Sequence, residues 1–258
     1  METFKPTIES QEKLAFDLVI NVTRHGPKQG LDGPLSEEGK QKTEDYFSDA
    51  YDSVSIDEGR EQRVVSSPKE RAKQTANIYQ KEMERNSGIK PVEVEIEEFL
   101  NEGGILPFYD TLSEEEQKNW FKHWYEINKG LPLESSDFKK MVRDFSSWLL
   151  KEINKIKNTG GNSDINAFSH GPLIGAVLLS LEDELGQEII TSSSNGTDRI
   201  DRKKILDINS GQLRALQNIN FYINSKDPNI IKINVLNQMF SVPISIFKKF
   251  AGEKQKTY

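Results

Sequence analysis

The sequence predicts an α/β fold in which buried strands alternate with helices. Three segments support this prediction, since in each an apolar or β-branched run ends abruptly and a loop or helical pattern follows. The runs end at Arg24-His25-Gly26, at Ser66-Ser67-Pro68 and at Ser169-His170-Gly171. Open α/β sheets bind their ligands at the carboxyl ends of the strands. The residues that follow each run are therefore the first candidates for a functional site.

The first strand is predicted from the apolar run Leu18, Val19 and Ile20, which leads into Asn21–Gly26. A turn-rich loop follows it. Ser36 then lies at the N-cap of a helix predicted from Glu37 to Ala50, with acidic residues in its first turn.

A second short strand is predicted for Arg63–Ser66. Ser67 and Pro68 have the residue types of an N-cap and a first helical position, which predicts a helix from Lys69 to Glu84. Arg71 falls in the first turn of that helix. If the first two strands are parallel neighbours, Arg71 and His25 lie at the same edge of the sheet.

The alternating segment Val92–Ile96 predicts a third strand near a sheet edge, because every second residue is acidic. It leads into an acidic loop, Glu97–Gly104. Two amphipathic helices are predicted next, from Thr111 to Lys129 and from Asp137 to Lys157, and their aromatic residues are expected in the core. His123 lies on the first of them and is interpreted as a surface or packing histidine.

The fourth strand is predicted for Ile165–Phe168, and an apolar helix from Leu173 to Leu181 follows it. The polar stretch from Glu182 to Lys204 has the composition of a mobile surface loop. No segment marks a firm domain boundary. The remaining predicted segments are strands at Ile205–Asn209, Gln212–Asn218 and Ile230–Leu236, and a helix or tail at Val242–Phe250.

Composition narrows the function. The 258 residues suit one large α/β domain or two small ones. The net charge of -7 and the absence of a long basic run argue against binding to nucleic acid or an anionic membrane. No cysteine is present, which excludes disulfides, thiolate catalysis and cysteine-type zinc sites. The sequence shows neither a secretory signal pattern nor a segment able to span a bilayer, so the expected location is cytoplasmic.

Phosphoryl transfer to His25 is the sharpest functional hypothesis from the residues. An imidazole titrates near neutral pH and offers an unprotonated nitrogen as nucleophile, and the adjacent Arg24 offers a planar fork for phosphate oxygens. The alternative is that Arg24 and His25 only end a strand. Two of the three histidines, His25 and His170, follow predicted strands and precede glycines, so the pattern occurs twice.

Five motifs occur in order along the chain. They are Thr23-Arg24-His25-Gly26, Leu35-Ser36-Glu37-Glu38-Gly39, Ser66-Ser67-Pro68-Lys69-Glu70-Arg71-Ala72-Lys73-Gln74-Thr75-Ala76, Ser169-His170-Gly171 and Asn209-Ser210-Gly211. In this combination the chain resembles the histidine phosphatase superfamily, also called the phosphoglycerate mutase-like family. The resemblance implies a three-layer α/β/α sandwich with a mainly parallel sheet. It also implies a single domain over residues 1–258, with a helical insertion at about 107–157 covering the site.

The resemblance assigns roles to individual residues. His25 corresponds to the nucleophile, while Arg24, Arg71 and a protonated His170 hold the phosphoryl oxygens. Because these cations are side chains, the scheme requires no metal and no other cofactor. Glu102 best fits the position of the general acid, with Glu97 and Glu98 as alternatives.

The resemblance favours a phosphatase acting on a small-molecule phosphomonoester or a phosphoprotein. A cofactor-dependent mutase is the second hypothesis, because Pro27-Lys28-Gln29-Gly30 departs from the residues that follow Arg-His-Gly in glycolytic mutases. The third is a catalytically silent module that binds a phosphorylated ligand. Retention of the two arginines and two histidines argues against the third. The sequence leaves the natural substrate and the oligomeric state open.

Overall fold

The computed structural model describes most of the chain. The described residues are 16–30, 33–51, 59–88, 90–101, 113, 120–185, 190–193, 196–199, 216–235 and 238–253. The strands in them are β1 (Leu18–Arg24), β2 (Glu61–Ser66), β3 (Val94–Ile96), β4 (Ser163–Ser169), β5 (Ile190–Ser193), β6 (Gly196–Arg199), β7 (Asn218–Asn224), β8 (Asp227–Val235) and β9 (Gln238–Pro243). The helices are α1 (Glu37–Tyr51), α2 (Glu70–Ser87), α3 (Trp120–Lys129), α4 (Asp137–Thr159), α5 (Gly171–Leu185) and α6 (Ile244–Phe250). Two 3₁₀ turns lie at Glu98–Leu100 and Leu133–Ser135.

A seven-stranded sheet with the order β3-β2-β4-β1-β7-β8-β9 forms the centre of the fold. Strands β3, β2, β4 and β1 are parallel to one another, and β7, β8 and β9 continue the sheet by antiparallel pairing. Five of these seven strands, β1 to β4 and β8, therefore point in one direction. The prediction of an α/β fold with a mainly parallel sheet is confirmed, as is the edge position of β3.

Strand β4 lies between β1 and β2 and pairs with both. The condition that β1 and β2 are neighbours is therefore not met, because the chain returns to place β4 between them. The register still aligns their carboxyl ends. Arg24 pairs with Ser169 and Ser66 pairs with Phe168. The residues that follow β1, β2 and β4 thus meet at one edge of the sheet.

Helices cover both faces of the sheet, as the three-layer prediction requires. On one face, alternate residues of β1 such as Leu18 and Ile20 pack in the large apolar cluster with α4, α5 and α6. On the other face, Val64 and Phe168 pack in a smaller cluster with Phe47 of α1 and with α2. Of the aromatic residues predicted for the core, Trp124, Phe138, Phe145 and Trp148 are buried, while Trp120 is half-buried against the large cluster.

The local predictions succeed unevenly. Helix α1 and helix α4 begin at the predicted residues. The stretch from Glu182 to Lys204 was expected to be a loop, but α5 extends to Leu185 and β5 and β6 pair as an antiparallel hairpin. The C-terminal region forms β7, which starts where the predicted strand ends, and then β9 before α6. Residues 107–112, 114–119 and the predicted strand at Ile205–Asn209 lie outside the described residues.

A buried ion pair joins the strands at the opposite, amino end of the sheet. Arg60 donates from Nε to Asp164 Oδ1 at 2.8 Å and from its two terminal nitrogens to the carbonyl oxygens of Phe16 and Ser163 at 2.7 and 3.0 Å. The side chain of Arg60 is only 4% exposed. The guanidinium links the starts of β1, β2 and β4. It can make these contacts simultaneously because its planar fork presents several N–H donors in different directions.

Candidate active site

His25 follows β1 directly and is 3% exposed. Its backbone N–H donates to the Ser169 carbonyl at 2.9 Å, which continues the β1–β4 pairing by one residue. In the side chain, Nδ1 lies 2.7 Å from the Gly26 carbonyl oxygen. A carbonyl only accepts hydrogen bonds, so Nδ1 carries the proton and Nε2 keeps its lone pair. The local backbone therefore sets the tautomer that a nucleophilic Nε2 needs.

Arg71 is the second residue of α2 and is 1% exposed. Its Nε donates to Nε2 of His25 at 3.0 Å. Thr75, one turn later, donates its hydroxyl to the Arg71 carbonyl at 2.8 Å and accepts the Gly26 N–H at 3.1 Å. Arg71 and His25 are thus held together through both side chain and backbone, as predicted from the position of Arg71 in the first helical turn.

His170 follows β4 and its ring centroid lies 5.0 Å from that of His25, at an interplanar angle of 64°. It is completely buried. Its Nε2 lies 2.9 Å from Oγ of Ser67, which is also completely buried. The structure therefore brings His25 and His170 together at one edge of the sheet.

Arg24 is the last residue of β1, and its guanidinium runs along the start of α5. A Cβ placed on Gly171 would lie 3.5 Å from both Cδ and Nε of Arg24. These are ordinary van der Waals distances, so the Arg24 side chain lies directly against the residue that follows His170. The backbone of Arg24 is fixed on the other side by β7, since its N–H donates to Gln217 and its carbonyl accepts from Leu216.

The loop after His25 packs closely on α1. A Cβ on Gly26 would lie 2.2 Å from Thr43 Oγ1, and one on Gly39 would lie 2.0 Å from the Pro27 carbonyl oxygen. Both positions therefore require glycine. Ser36 Oγ accepts the Gly39 N–H at 2.9 Å, which confirms the predicted cap of α1.

Ser67 differs from its predicted role. It was expected to cap α2, with Pro68 as the first helical residue, but α2 begins at Glu70 and Lys69 occupies the N-cap position. The Ser67 hydroxyl instead contacts His170. This serine is the site residue that the sequence interpretation missed. It directly follows β2, as His25 follows β1 and His170 follows β4, and this shared position is the signal that could have found it.

The site favours neutral imidazoles. Burial is the main reason why the pKa of His25 is lowered to about 3. The charges of Arg71, Arg24 and Lys28 lower this pKa further, while the hydrogen bond to Gly26 partly raises it. Burial also lowers the pKa of His170 well below its usual value, with further lowering by His25, Arg71, Lys28 and Lys69. These surroundings favour a neutral His170, whereas the resemblance implies a protonated His170 in contact with the phosphoryl oxygens. Two neutral imidazoles beside cationic side chains suit the binding of an anion.

These pKa values predict a loss of stability in acid. The folded-state pKa of His25 is below the usual value of 6.5, so between pH 6.5 and about 3 the unfolded chain binds a proton that the folded chain does not. The free energy of unfolding should then fall as the pH falls, by about 2 kcal/mol from His25 between pH 6.5 and pH 5. Urea unfolding of the wild type and of His25→Asn at pH 8 and pH 5 checks this. The variant should lose less stability on acidification, and an equal loss in both proteins would contradict the prediction.

The predicted general acid and the last motif cannot be placed in this site. Glu102 and Asn209-Ser210-Gly211 lie outside the described residues. Of the two alternatives, Glu97 is half-buried and Glu98 is exposed. Lys28, in the loop that follows His25, is half-buried and pairs through its backbone with Leu35.

Two further structural findings concern the described residues alone. Nowhere in them do three or more acidic or histidine side chains cluster in a way that could hold a metal ion. Their helices also lack the combination of length and apolar character that crossing a membrane requires.

Comparison with known families gives a direct match. The family model of the histidine phosphatase superfamily (branch 1) matches residues 20–193. The chain belongs to the histidine phosphatase superfamily. The matched range contains the two arginines and two histidines of the candidate site. A comparison of this histidine phosphatase with curated proteins gives no match.

Solved structures similar to this histidine phosphatase include mycobacterial hydrolase 1, which is 14% identical with a TM-score of 0.50, over 84% of this chain and 96% of that one. Mycobacterial hydrolase 2 is 15% identical with a TM-score of 0.50, over 93% and 98% of the two chains. A phosphoserine phosphatase mutant from Entamoeba histolytica, in complex with phosphoserine, is 16% identical with a TM-score of 0.49, over 89% and 98%. At these identities the likeness concerns the fold alone.

Proposed function

We propose that this protein is a phosphomonoester hydrolase that works through a phosphohistidine on Nε2 of His25. One observation carries the proposal: the imidazole has its proton fixed on Nδ1 by the Gly26 carbonyl, and the buried Arg71 guanidinium lies at Nε2. The lone pair of His25 Nε2 and the positive charge of Arg71 therefore lie next to each other. We further propose that residues 1–258 form a single histidine phosphatase domain. The cytoplasmic location stays a prediction from the sequence.

The first chemical step forms a bond between Nε2 and phosphorus and breaks the bond from phosphorus to the ester oxygen. A phosphate monoester is mostly dianionic at neutral pH, since its second pKa is about 6. Arg24 and Arg71 hold its equatorial oxygens by charge-assisted hydrogen bonds, and His170 contributes a further donor. The scheme needs no metal because these side chains supply the donors and the positive charge.

The leaving alkoxide takes a proton from a carboxylic acid, and the resulting carboxylate then removes a proton from the water that attacks phosphohistidine. Inorganic phosphate leaves and His25 is regenerated. We propose Glu102 for this role. The support comes from Leu100, whose carbonyl accepts the Ser169 hydroxyl at 2.7 Å and so anchors the acidic loop beside His170. Glu102 follows this anchor by two residues in the sequence.

Glu102→Gln is expected to lower kcat on alkyl phosphates by roughly 10²- to 10⁴-fold. On para-nitrophenyl phosphate the loss should be smaller, because the leaving phenolate needs little protonation. Steady-state kinetics with both substrates measure the difference, and Glu98→Gln, an exposed glutamate of the same loop, is the matched control. Equal losses on the two substrates, or a loss that appears only in the Glu98 variant, would remove Glu102 from this role.

A phosphomonoester panel combined with a quench assay for phosphohistidine tests the function itself. The panel includes para-nitrophenyl phosphate, phosphoserine, a phosphoprotein, and 3-phosphoglycerate with and without its bisphosphate primer. Release of inorganic phosphate with a phosphohistidine intermediate supports the proposal and ranks small-molecule against protein substrates. Transfer without release would replace it with a mutase. Neither reaction on any substrate would replace it with a silent binding module.

A further inference from the structure

Ser67 is held in place by bonds on both sides of its side chain. Its backbone N–H donates to the Phe168 carbonyl at 2.9 Å, and its own carbonyl accepts the Ser66 hydroxyl at 2.9 Å. The first of these bonds ties the end of β2 to the end of β4. The Ser67 hydroxyl is therefore presented to His170 by backbone that is already fixed.

The hydrogen bonds around Oγ of Ser67 have a direction. The backbone N–H of Lys69, at the N-cap of α2, donates to Oγ at 3.3 Å. In this contact the Ser67 oxygen acts as an acceptor, so the hydroxyl proton of Ser67 is available for a different partner. The other partner is Nε2 of His170 at 2.9 Å. The geometry accordingly favours a chain that runs from Lys69 N–H to Ser67 and from the Ser67 O–H to His170.

An imidazole that accepts at Nε2 carries its proton on Nδ1 when it is neutral. We propose, on the basis of the proposed function, that Ser67 is a positioning residue that holds His170 as a neutral imidazole and directs its Nδ1–H to the phosphoryl group. Because Nε2 is engaged by Ser67, contact with a phosphate oxygen falls to Nδ1. Ser67 thereby sets the tautomer of the second histidine, as the Gly26 carbonyl sets that of the first.

The two other protonation states are less compatible with the surroundings. With the proton on Nε2 instead, the lone pair of Nδ1 would face the anionic oxygens and repel them. A doubly protonated ring is opposed by burial and by the charges of Arg71, Lys28 and Lys69, which act in the same direction. A neutral donor in a site that already holds cationic arginines avoids this cost.

Nitrogen-15 NMR of the histidine side chains tests the tautomer without requiring turnover. In wild-type protein saturated with inorganic phosphate at pH 7, His170 should show a protonated Nδ1 and an unprotonated Nε2. The signals are assigned from the spectra of His25→Asn and His123→Asn. Ser67→Ala should lose this pattern, while Ser146→Ala should keep it. Ser146 is the matched control because it is equally buried and its hydroxyl bonds the Val142 carbonyl in α4 rather than His170.

Kinetics provide the second readout. Ser67→Ala should lower kcat/KM for para-nitrophenyl phosphate by roughly 10- to 100-fold, the range seen when a partner that orients a functional histidine is removed. Ser146→Ala should stay within about threefold of wild type. An imidazolium at His170, a proton on its Nε2, or an unchanged His170 spectrum in Ser67→Ala would overturn the proposal. Absence of turnover in the wild type would instead overturn the proposed function, and the spectra would still decide the role of Ser67.

Discussion

Replacing His25 with asparagine is expected to lower kcat/KM for phosphomonoesters by about 10⁴-fold or more. The asparagine amide can occupy the position of Nδ1 and keep the hydrogen bond to the Gly26 carbonyl, but it offers no atom equivalent to Nε2. The variant should therefore fold and bind phosphate while failing to form the covalent intermediate. Initial rates with para-nitrophenyl phosphate, together with trapping of the phosphorylated protein, measure both consequences.

The third histidine provides the control for this variant. His123 belongs to α3 and does not follow a strand, and His123→Asn should retain wild-type rates. Thermal unfolding of both variants shows whether a loss of activity reflects the chemistry or the fold. Near-wild-type turnover or trapped phosphoprotein in folded His25→Asn would exclude His25 as the nucleophile.

The elements predicted well are those with a local signal. The apolar run before Asn21 and the turn residues after His25 define β1 and its end, and the position of Arg71 two residues into a helix follows from the start of α2 to within a residue or two. The order of the strands in the sheet has no local signal in the sequence. Nothing in β4 itself indicates that it inserts between β1 and β2, because that placement depends on pairing over about a hundred residues.

The chemistry of the site also depends on contacts between residues that are distant in sequence, and these contacts have no local signal. Ser67 has the residue type of an N-cap, and only the folded chain shows that its hydroxyl contacts His170 instead. The burial and the neighbouring cations that lower the pKa of His170 also have no signature in the sequence, because they depend on the folded chain. Composition also misled at Glu182–Lys204. Its polar residues favour a loop, yet Ile190 and Arg199 pair at the open end of a hairpin.

Two buried arginines at opposite ends of the sheet allow activity and stability to be separated. Arg71→Lys should lower kcat by roughly 10²- to 10³-fold, because a lysine keeps the charge but cannot donate two parallel hydrogen bonds to a transferring phosphoryl group. Its melting temperature should change little. Arg60→Lys should do the opposite, since lysine cannot reach Asp164 and both carbonyls together. Its melting temperature should fall while kcat stays close to wild type.

The pH dependence of Arg71 variants tests how the guanidinium acts on His25. After burial, Arg71 is the first of the charges that lower the pKa of His25, so Arg71→Met should raise that pKa and Arg71→Lys should leave it low. The active form of His25 is unprotonated, and kcat/KM reports the ionisation of the free enzyme. The acidic limb of kcat/KM should therefore move to higher pH in Arg71→Met but not in Arg71→Lys. A limb that stays in place in both variants, with equal losses of kcat, would mean that Arg71 only shapes the site and does not act on the nucleophile through its charge.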